Sequence, residues 1–361
     1  MAALDGLRRR AIMRAHWQWG SGMIEGINEA NVTTWLAAQV PALTPPVDYV
    51  LIAGGHSNLT YRCSDALGRR YVLRRPPLGH VLESAHDMGR EYRVVHALAG
   101  SGVPVALTHG LCRDNAINDA PFFIMDFVDG LVPHDVESAN QLPAAERVAL
   151  SLDVAEVLAR LHKIIPEAVG LGDLGRKENY IARQLKRWSQ QWEATKTEQV
   201  PVMDEALRLL GERLPEQRGA TIVHGDYRLG NMIVADGRIQ ALLDWELCTL
   251  GDPLADLGYL LNTWLAPEER RGDAEDTLPT TAGGFSTRAA LTARYAELTG
   301  FDLSHIDYYR AFQQWRLAAI RQGVYKRYLV GAMGSARDFD LEGYKQIIVR
   351  KAQLAVELLA P

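Results

Sequence analysis

The residues able to do chemistry concentrate in one stretch, 221–246, TIVHGDYRLGNMIVADGRIQALLDWE. Thr221 to Val223 reads as a short strand, His224 to Gly230 as a polar loop, and the rest as a β-hairpin. The hairpin arms are Met232 to Val234 and Ile239 to Leu243. They join at Asp236-Gly237, a pair that tolerates the positive φ of a tight turn. With the turn centred between those two residues, Asn231 falls roughly opposite Leu242. Asn231 and Asp244 then sit diagonally on one face at the open end, and the loop brings Asp226 there too. Three oxygen-bearing side chains converge, which is what a hard cation such as Mg²⁺ and a substrate hydroxyl require.

The spacing His224-x-Asp226, four residues, Asn231, with Asp244 downstream, is that of a kinase catalytic loop followed by a metal-binding aspartate. Together with LLDWE (242–246) and GDPLADLG (251–258), the HGD form resembles the aminoglycoside phosphotransferase family of kinase-like enzymes over roughly residues 45–330. The resemblance implies an α+β, protein-kinase-like two-lobe fold. A small antiparallel β-sheet lobe carries one main helix, and the larger lobe is mostly helical. It also implies ATP and Mg²⁺ as cofactors, Asn231 and Asp244 as metal ligands, and Asp226 as the group that accepts or orients the proton of an attacking hydroxyl. Arg228 stands where many protein kinases place a lysine near the transferred phosphate. It is either a transition-state cation or a solvated loop arginine. His224 is expected to brace the loop through hydrogen bonds, with no proton transfer of its own.

The elements that must position this stretch begin upstream. Residues 1–45 read as a leader followed by a helix capped by Asn31 or Thr33, with Trp35, Leu36 and Val40 on its apolar side. Residues 46–127 form the expected small lobe and 128–361 the large one. Three strands lie at Tyr49 to Ile52, Leu59 to Cys63 and Tyr71 to Arg75. Between the first two, Gly54, Gly55, His56, Ser57 and Asn58 suit close backbone approach to phosphates. The third strand takes the place of the kinase V-A-I-K strand, but Arg74, followed by Arg75, stands where lysine is expected. Arginine still binds phosphate oxygens, with different geometry. Alternation points only one of the two inward, and alignment to the family favours Arg74.

Ser84 to Ala99 reads as a helix with a capping box at Ser84 and Asp87, and Met88, Tyr92, Val95 and Leu98 as its stripe. Glu91 leans toward that buried face and needs a partner. Arg74 is the natural one, as in the strand-to-helix ion pair of kinases; Arg90 or Arg93 is the surface alternative. Pro121 to Met125 reads as a continuous apolar strand that ends at Asp126. By resemblance this is the interlobe hinge, with the Asp126 carbonyl and Val128 N–H meeting the adenine edge and Met125 guarding the pocket.

Downstream, 128–142 is a soft connection. Pro143 to His162 is a helix with Val148, Leu152, Ala155 and Ala159 at helical spacing. Further helices are expected at 177–194, 201–214, 287–299, 306–330 and 340–359. Trp188 and Trp192 read as packing residues. Asp252 is sufficiently explained as the cap of a helix opened by Pro253, with Asp256 one turn on. Arg316, Arg321, Lys326 and Arg327 form a solvated face or a receiver for an anionic substrate.

Length allows a large core in two lobes, and the 47% hydrophobic and 23% charged composition is that of a globular chain. A net charge of −5 argues against general nucleic-acid binding. Three scattered cysteines without C-x-x-C fit a reducing, cytoplasmic setting and no zinc site. No signal-peptide apolar region and no membrane-length apolar run is read in the sequence.

GGHSNLTYRC, YVLRRPP, REYRV and LLDWELCTLGDPLADLGYL look most like the phosphotransferase branch associated with acyl-CoA dehydrogenases. That likeness implies a small-molecule hydroxyl substrate, a 4-hydroxyacyl-CoA thioester, and functional association with an acyl-CoA dehydrogenase. The alternatives are an aminoglycoside or choline-like acceptor, a non-catalytic nucleotide-binding pseudokinase, and a metal-dependent hydrolase built from His224, Asp226, Asp244, Asp252 and Asp256. The scarcity of acidic clusters in the C-terminal part disfavours an aminoglycoside, and the absence of A-P-E after Asp244 disfavours a protein kinase.

Overall fold

The computed structural model describes residues 24–53, 58–78, 87–270, 277–331 and 340–360. The small lobe is a five-stranded antiparallel sheet of β1 (Val47–Ala53), β2 (Leu59–Asp65), β3 (Arg70–Arg75), β4 (Thr108–Cys112) and β5 (Phe122–Asp126), in the order β1-β2-β3-β5-β4. One face packs on α1 (Glu29–Gln39): Val32, Leu36, Tyr49, Tyr61, Cys63, Tyr71, Leu73, Phe122 and Ile124 share one core. The residues before the sheet, expected as a separate leader, thus supply part of its core. The cap also differs from expectation. The helix begins at Glu29, and Asn28 caps it by accepting from the Asn31 N–H. Asn31 and Thr33 lie inside the first turns, and the Thr33 hydroxyl hydrogen bonds the Tyr49 hydroxyl at 2.8 Å.

Across the sheet stands α2 (Met88–Leu98), capped by Asp87, whose carboxylate accepts from the Arg90 N–H. It starts four residues later than the sequence reading, and Ser84 lies outside the described residues. Val94, Val95 and Leu98 pack into the core of the large lobe, so this helix bridges the two halves. α3 (Asn115–Asn118) closes the small lobe beside α1.

The large lobe holds α4 (Val136–Ala139), α5 (Ala144–Lys163), α6 (Tyr180–Thr195) and α7 (Pro201–Glu212) before the short strands. After β6 (Thr221–Val223), β7 (Met232–Ala235), β8 (Arg238–Leu242) and β9 (Thr249–Gly251) come α8 (Leu254–Asn262), α9 (Arg288–Thr299), α10 (Ile306–Leu329) and α11 (Leu341–Leu358). The expected α5 stripe needs correction. Val148 and Leu152 are exposed, while Leu150, Val154, Val157, Leu158 and Leu161 are buried. Apolar residues stand on more than one face of this helix, and tertiary packing chooses between them. No described helix is long and apolar enough to cross a membrane.

Candidate active site

Two small antiparallel pairs present the chemistry. β6 pairs with β9, Ile222 opposite Leu250, while β7 and β8 form the hairpin. The hairpin turns at Asp236 (φ 53°) and Gly237 (φ 69°), the left-handed pair expected of a tight turn. Its register shifts between Ile233 and Val234, so that Met232, not Asn231, faces Leu242. An irregularity of this kind adds a residue to one arm. The shift brings Asn231 level with Leu243, whose N–H donates to the Asn231 carbonyl at 2.9 Å, one residue closer to Asp244.

The loop between β6 and β7 is braced from behind. His224 is fully buried. Its Nε2 hydrogen bonds the Leu243 carbonyl at 3.0 Å, and its Nδ1 accepts from the Asp226 N–H at 3.3 Å, which fixes the proton on Nε2. Trp245 packs on the imidazole at 4.6 Å between centroids. Asp256, on the first turn of α8, accepts the N–H groups of His224 (2.6 Å) and Gly225 (2.9 Å) and contacts His162 Nε2 at 3.3 Å. His162 Nδ1 in turn meets the Tyr295 hydroxyl at 2.7 Å. Burial would raise the Asp256 carboxyl, but His162, His224 and the Gly225 N–H together hold it below the usual carboxylate range. Gly225 has φ +89°, and a Cβ there would sit 2.8 Å from the Leu247 Cβ, so glycine is required.

Asp226 faces the cleft. Its Oδ2 accepts from Asn231 Nδ2 at 2.7 Å and lies 3.3 Å from Arg228 Nε. Tyr259 of α8 stands beside it, and burial together with the Asp226 charge pushes the Tyr259 hydroxyl up. Asn231 Nδ2 additionally donates to the Asp226 carbonyl at 2.9 Å, leaving Oδ1 for another partner. Arg228 is therefore seated on the acid rather than solvated alone.

The small lobe reaches the same point through β3. Tyr71 and Leu73 face α1, so alternation sends Arg75 to that side and Arg74 to the opposite one. Arg75 is buried against the Gly26 carbonyl and Asp119. Arg74 places Nε 2.8 Å from Glu91 Oε1 and Nη2 2.9 Å from Asp244 Oδ1. Asn58 Nδ2 donates to Glu91 Oε2 at 3.2 Å. Burial pushes the Glu91 carboxyl up, with Arg74 pulling against it. The alternative partners of Glu91 are engaged elsewhere: Arg90 Nη2 donates to the Cys248 carbonyl at 2.9 Å, and Arg93 pairs with Asp173.

Glu246, like Tyr259, is a residue to which the sequence reading gave no role. Its Oε2 is buried without a hydrogen-bond partner among the described residues. Burial, Asp244 and Asp226 all push its carboxyl up. Asp244 sits in left-handed backbone, φ 64°, a costly conformation for aspartate. Asp226, Asp244, Glu246 and Glu91 thus share the cations Arg74 and Arg228, a deficit of positive charge that suits an incoming cation. Among the described residues no group of three or more His, Cys, Asp or Glu could hold a metal by itself. Mg²⁺ does not need such a cage, because it is usually bound by one or two carboxylates with waters and phosphates. Asn231 Oδ1 and Asp244 fit that pattern. The hydrolase set does not fit: both His224 nitrogens are engaged, and Asp256 and Asp252 are tied to backbone N–H groups, Asp252 also to the Tyr309 hydroxyl at 2.6 Å.

Other expected residues stand apart from this cluster. Met125, Asp126 and Val128 are half-buried at the end of β5 and just beyond; the Asp126 carboxylate meets His109 Nε2 at 2.6 Å. Gly54, Gly55, His56 and Ser57 lie outside the described residues. The basic set on α10 divides. Arg316 Nη2 lies 3.5 Å from the Gly225 carbonyl, whereas Arg321 packs over Tyr344 and Lys326 donates to the Ala194 carbonyl. The three cysteines are free and buried.

Comparison with known proteins places this geometry in context. Residues 48–297 match the phosphotransferase enzyme family. Acyl-CoA dehydrogenase family member 10 of Mus musculus is 37% identical over 301 residues, 81% of this chain and 28% of that protein. Probable acyl-CoA dehydrogenase IBR3 of Arabidopsis thaliana is 35% identical over 77% of this chain and 36% of its own length. The chain therefore spans about a third of the length of these curated relatives. The crystal structure of a putative aminoglycoside phosphotransferase from Ralstonia eutropha is 34% identical, covers 91% of this chain and 98% of its own, and superposes with a TM-score of 0.77.

Proposed function

The chain belongs to the phosphotransferase enzyme family, and we propose that it moves the γ-phosphoryl group of ATP to a hydroxyl of a small molecule. The observation that carries this reading is the convergence on Asp226. Asn231, Arg228 and Tyr259 from the large lobe and, through Asp244, the Arg74–Glu91 pair from the small lobe meet around it.

Phosphoryl transfer asks a protein mainly for positioning and charge neutralisation. In this reading Asp226 orients the acceptor hydroxyl and takes its proton. Its Oδ2 is held by Asn231 and Arg228, so the carboxylate is fixed before the acceptor arrives. Arg228 then stands beside the oxygen where charge develops. Asn231 Oδ1 and Asp244 hold Mg²⁺, which when bound with ATP neutralises the phosphate charge. Arg74, anchored by Glu91, offers its fork to phosphate oxygens, and Gly54, Gly55, His56, Ser57 and Asn58 are assigned to the phosphates from their residue types alone. Met125, Asp126 and Val128 border the base. Because Arg74 keeps the glutamate pair, the change from lysine no longer favours a non-catalytic binding module.

For the acceptor we propose a hydroxyacyl-CoA thioester, a 4-hydroxyacyl-CoA in the first instance, acting beside an acyl-CoA dehydrogenase. Its support is the likeness to acyl-CoA dehydrogenase family members. The test is Mg²⁺-dependent ADP release over a panel of 4-hydroxyacyl-CoA, 3-hydroxyacyl-CoA, free hydroxy acid, choline and kanamycin. Turnover confined to the thioesters is expected. Turnover on choline or kanamycin would reassign the acceptor, and ATP binding with no turnover on any member would leave a nucleotide-binding module.

A further inference from the structure

A group of arginines beside the catalytic loop lacks counter-ions. Arg316 is half-buried on α10, with Nη2 3.5 Å from the carbonyl of Gly225, the residue before Asp226. Its Nη1 donates to the neutral Gln313 at 2.8 Å, and its Nε is buried without a partner among the described residues. On α6, Arg183 Nη1 is likewise buried and unpartnered. Arg183 Nη2 donates to the Arg176 carbonyl at 2.6 Å, and its helix packs against α10. Trp188, half-buried on α6, has the Arg316 Cζ 5.6 Å and the Arg187 Cζ 5.5 Å from its ring centroid. Among the described residues, none of Arg183, Arg187 and Arg316 forms an ion pair with a carboxylate; Arg228, nearby, is committed to Asp226.

Folded proteins rarely leave desolvated guanidinium donors unpaired, because water has been removed and nothing replaces it. Arg316, Arg183 and Arg187 have no carboxylate partner among the described residues, and Arg316 and Arg183 each keep a buried donor for a further acceptor. The aromatic face of Trp188 holds the Arg316 guanidinium in place, so its fork is oriented in advance. Arg316 approaches the loop from α10, whereas Arg74, the cation offered to the nucleotide, comes from β3 in the other lobe. We infer that the acceptor is an anion, and that Arg316, helped by Arg183 on the adjoining helix α6, binds a carboxylate or phosphate group on it while its hydroxyl meets Asp226. This rests on the phosphotransferase reading and adds a charge requirement to it.

Calorimetric titration of the full chain tests this without turnover, using two matched pairs: 4-hydroxybutyrate against its amide, and 4′-phosphopantetheine against pantetheine. No probe contains adenosine, so the nucleotide site is not read. At least one charged member is expected to bind tenfold or more tightly than its neutral partner. That preference should vanish in Arg316→Gln, weaken several-fold in Arg183→Gln, and survive in part in Arg316→Lys. Preference in the first pair identifies a carboxylate and in the second a phosphate. Equal affinities within both pairs in the wild type, or a preference that persists in both glutamine variants, would overturn the inference. A wild type that binds the anion yet releases no ADP would instead count against the phosphotransferase reading alone.

Discussion

The two sides of the catalytic loop are built on opposite electrostatic plans. Behind it, His224 commits both ring nitrogens to its own surroundings, and Asp256 is met by two backbone N–H groups and His162. In front, Arg74 is divided between Glu91 and Asp244, and Glu246 keeps an oxygen buried and unmatched. The back is complete in its hydrogen bonds. The front is deficient in positive charge and becomes complete only when a cation and a nucleotide arrive. Such a division places the completed hydrogen bonds where orientation is needed and the imbalance where ligands bind.

The largest expected effect breaks the front at its reacting group. Asp226→Asn should lower kcat by about 10³-fold, within the range for loss of a general base, while leaving nucleotide affinity unchanged. Loss of nucleotide binding in parallel would move Asp226 into the nucleotide site. Next comes the back: Asp256→Ala strands a buried histidine and two loop N–H groups, and should cost about 3–5 kcal/mol in denaturant unfolding. A cost below about 1 kcal/mol would mean that the brace is not structural. Arg74→Gln sharpens the contrast, since it should raise the KM for ATP about tenfold, some 1.4 kcal/mol. Because it leaves the buried Glu91 only Asn58 as a partner among the described residues, it should lower unfolding stability as well, by less than Asp256→Ala. Smallest is Glu246→Gln, which removes a like charge from the front. It should stabilise the protein without Mg²⁺ by under about 1 kcal/mol and weaken the stabilisation that Mg²⁺·ATP confers in thermal melting. If the variant melts lower without Mg²⁺, the front is not short of positive charge.

Legibility in the sequence followed distance along the chain. Asp226, Asn231 and Asp244 were readable because a loop and one hairpin bring them together by local rules. Glu91 was readable because helical spacing carries a carboxylate into an apolar face. The irregularity that moves Asn231 by one residue left no composition signal, so the register came out one step short. Asp256 and Tyr259 were missed as partners of the loop, since their contacts are more than thirty residues away. A helix-start reading already accounted for Asp252, and the signal passed over was a second aspartate one turn later in a helix otherwise buried. Strand β4 was missed for a similar reason: it earns its place only by pairing with β5. The α5 stripe held at Ala155 and Ala159, which are buried, and failed at Val148 and Leu152, because both candidate faces carry apolar residues and the fold alone decides between them.

The most direct test of the central claim is ³¹P NMR of a reaction holding the protein, ATP, Mg²⁺ and a 4-hydroxyacyl-CoA. The account predicts a phosphomonoester resonance on the acceptor that grows one-for-one with ADP and is absent with Asp226→Asn. ADP accompanied only by inorganic phosphate, at a rate indifferent to the acceptor, would contradict it.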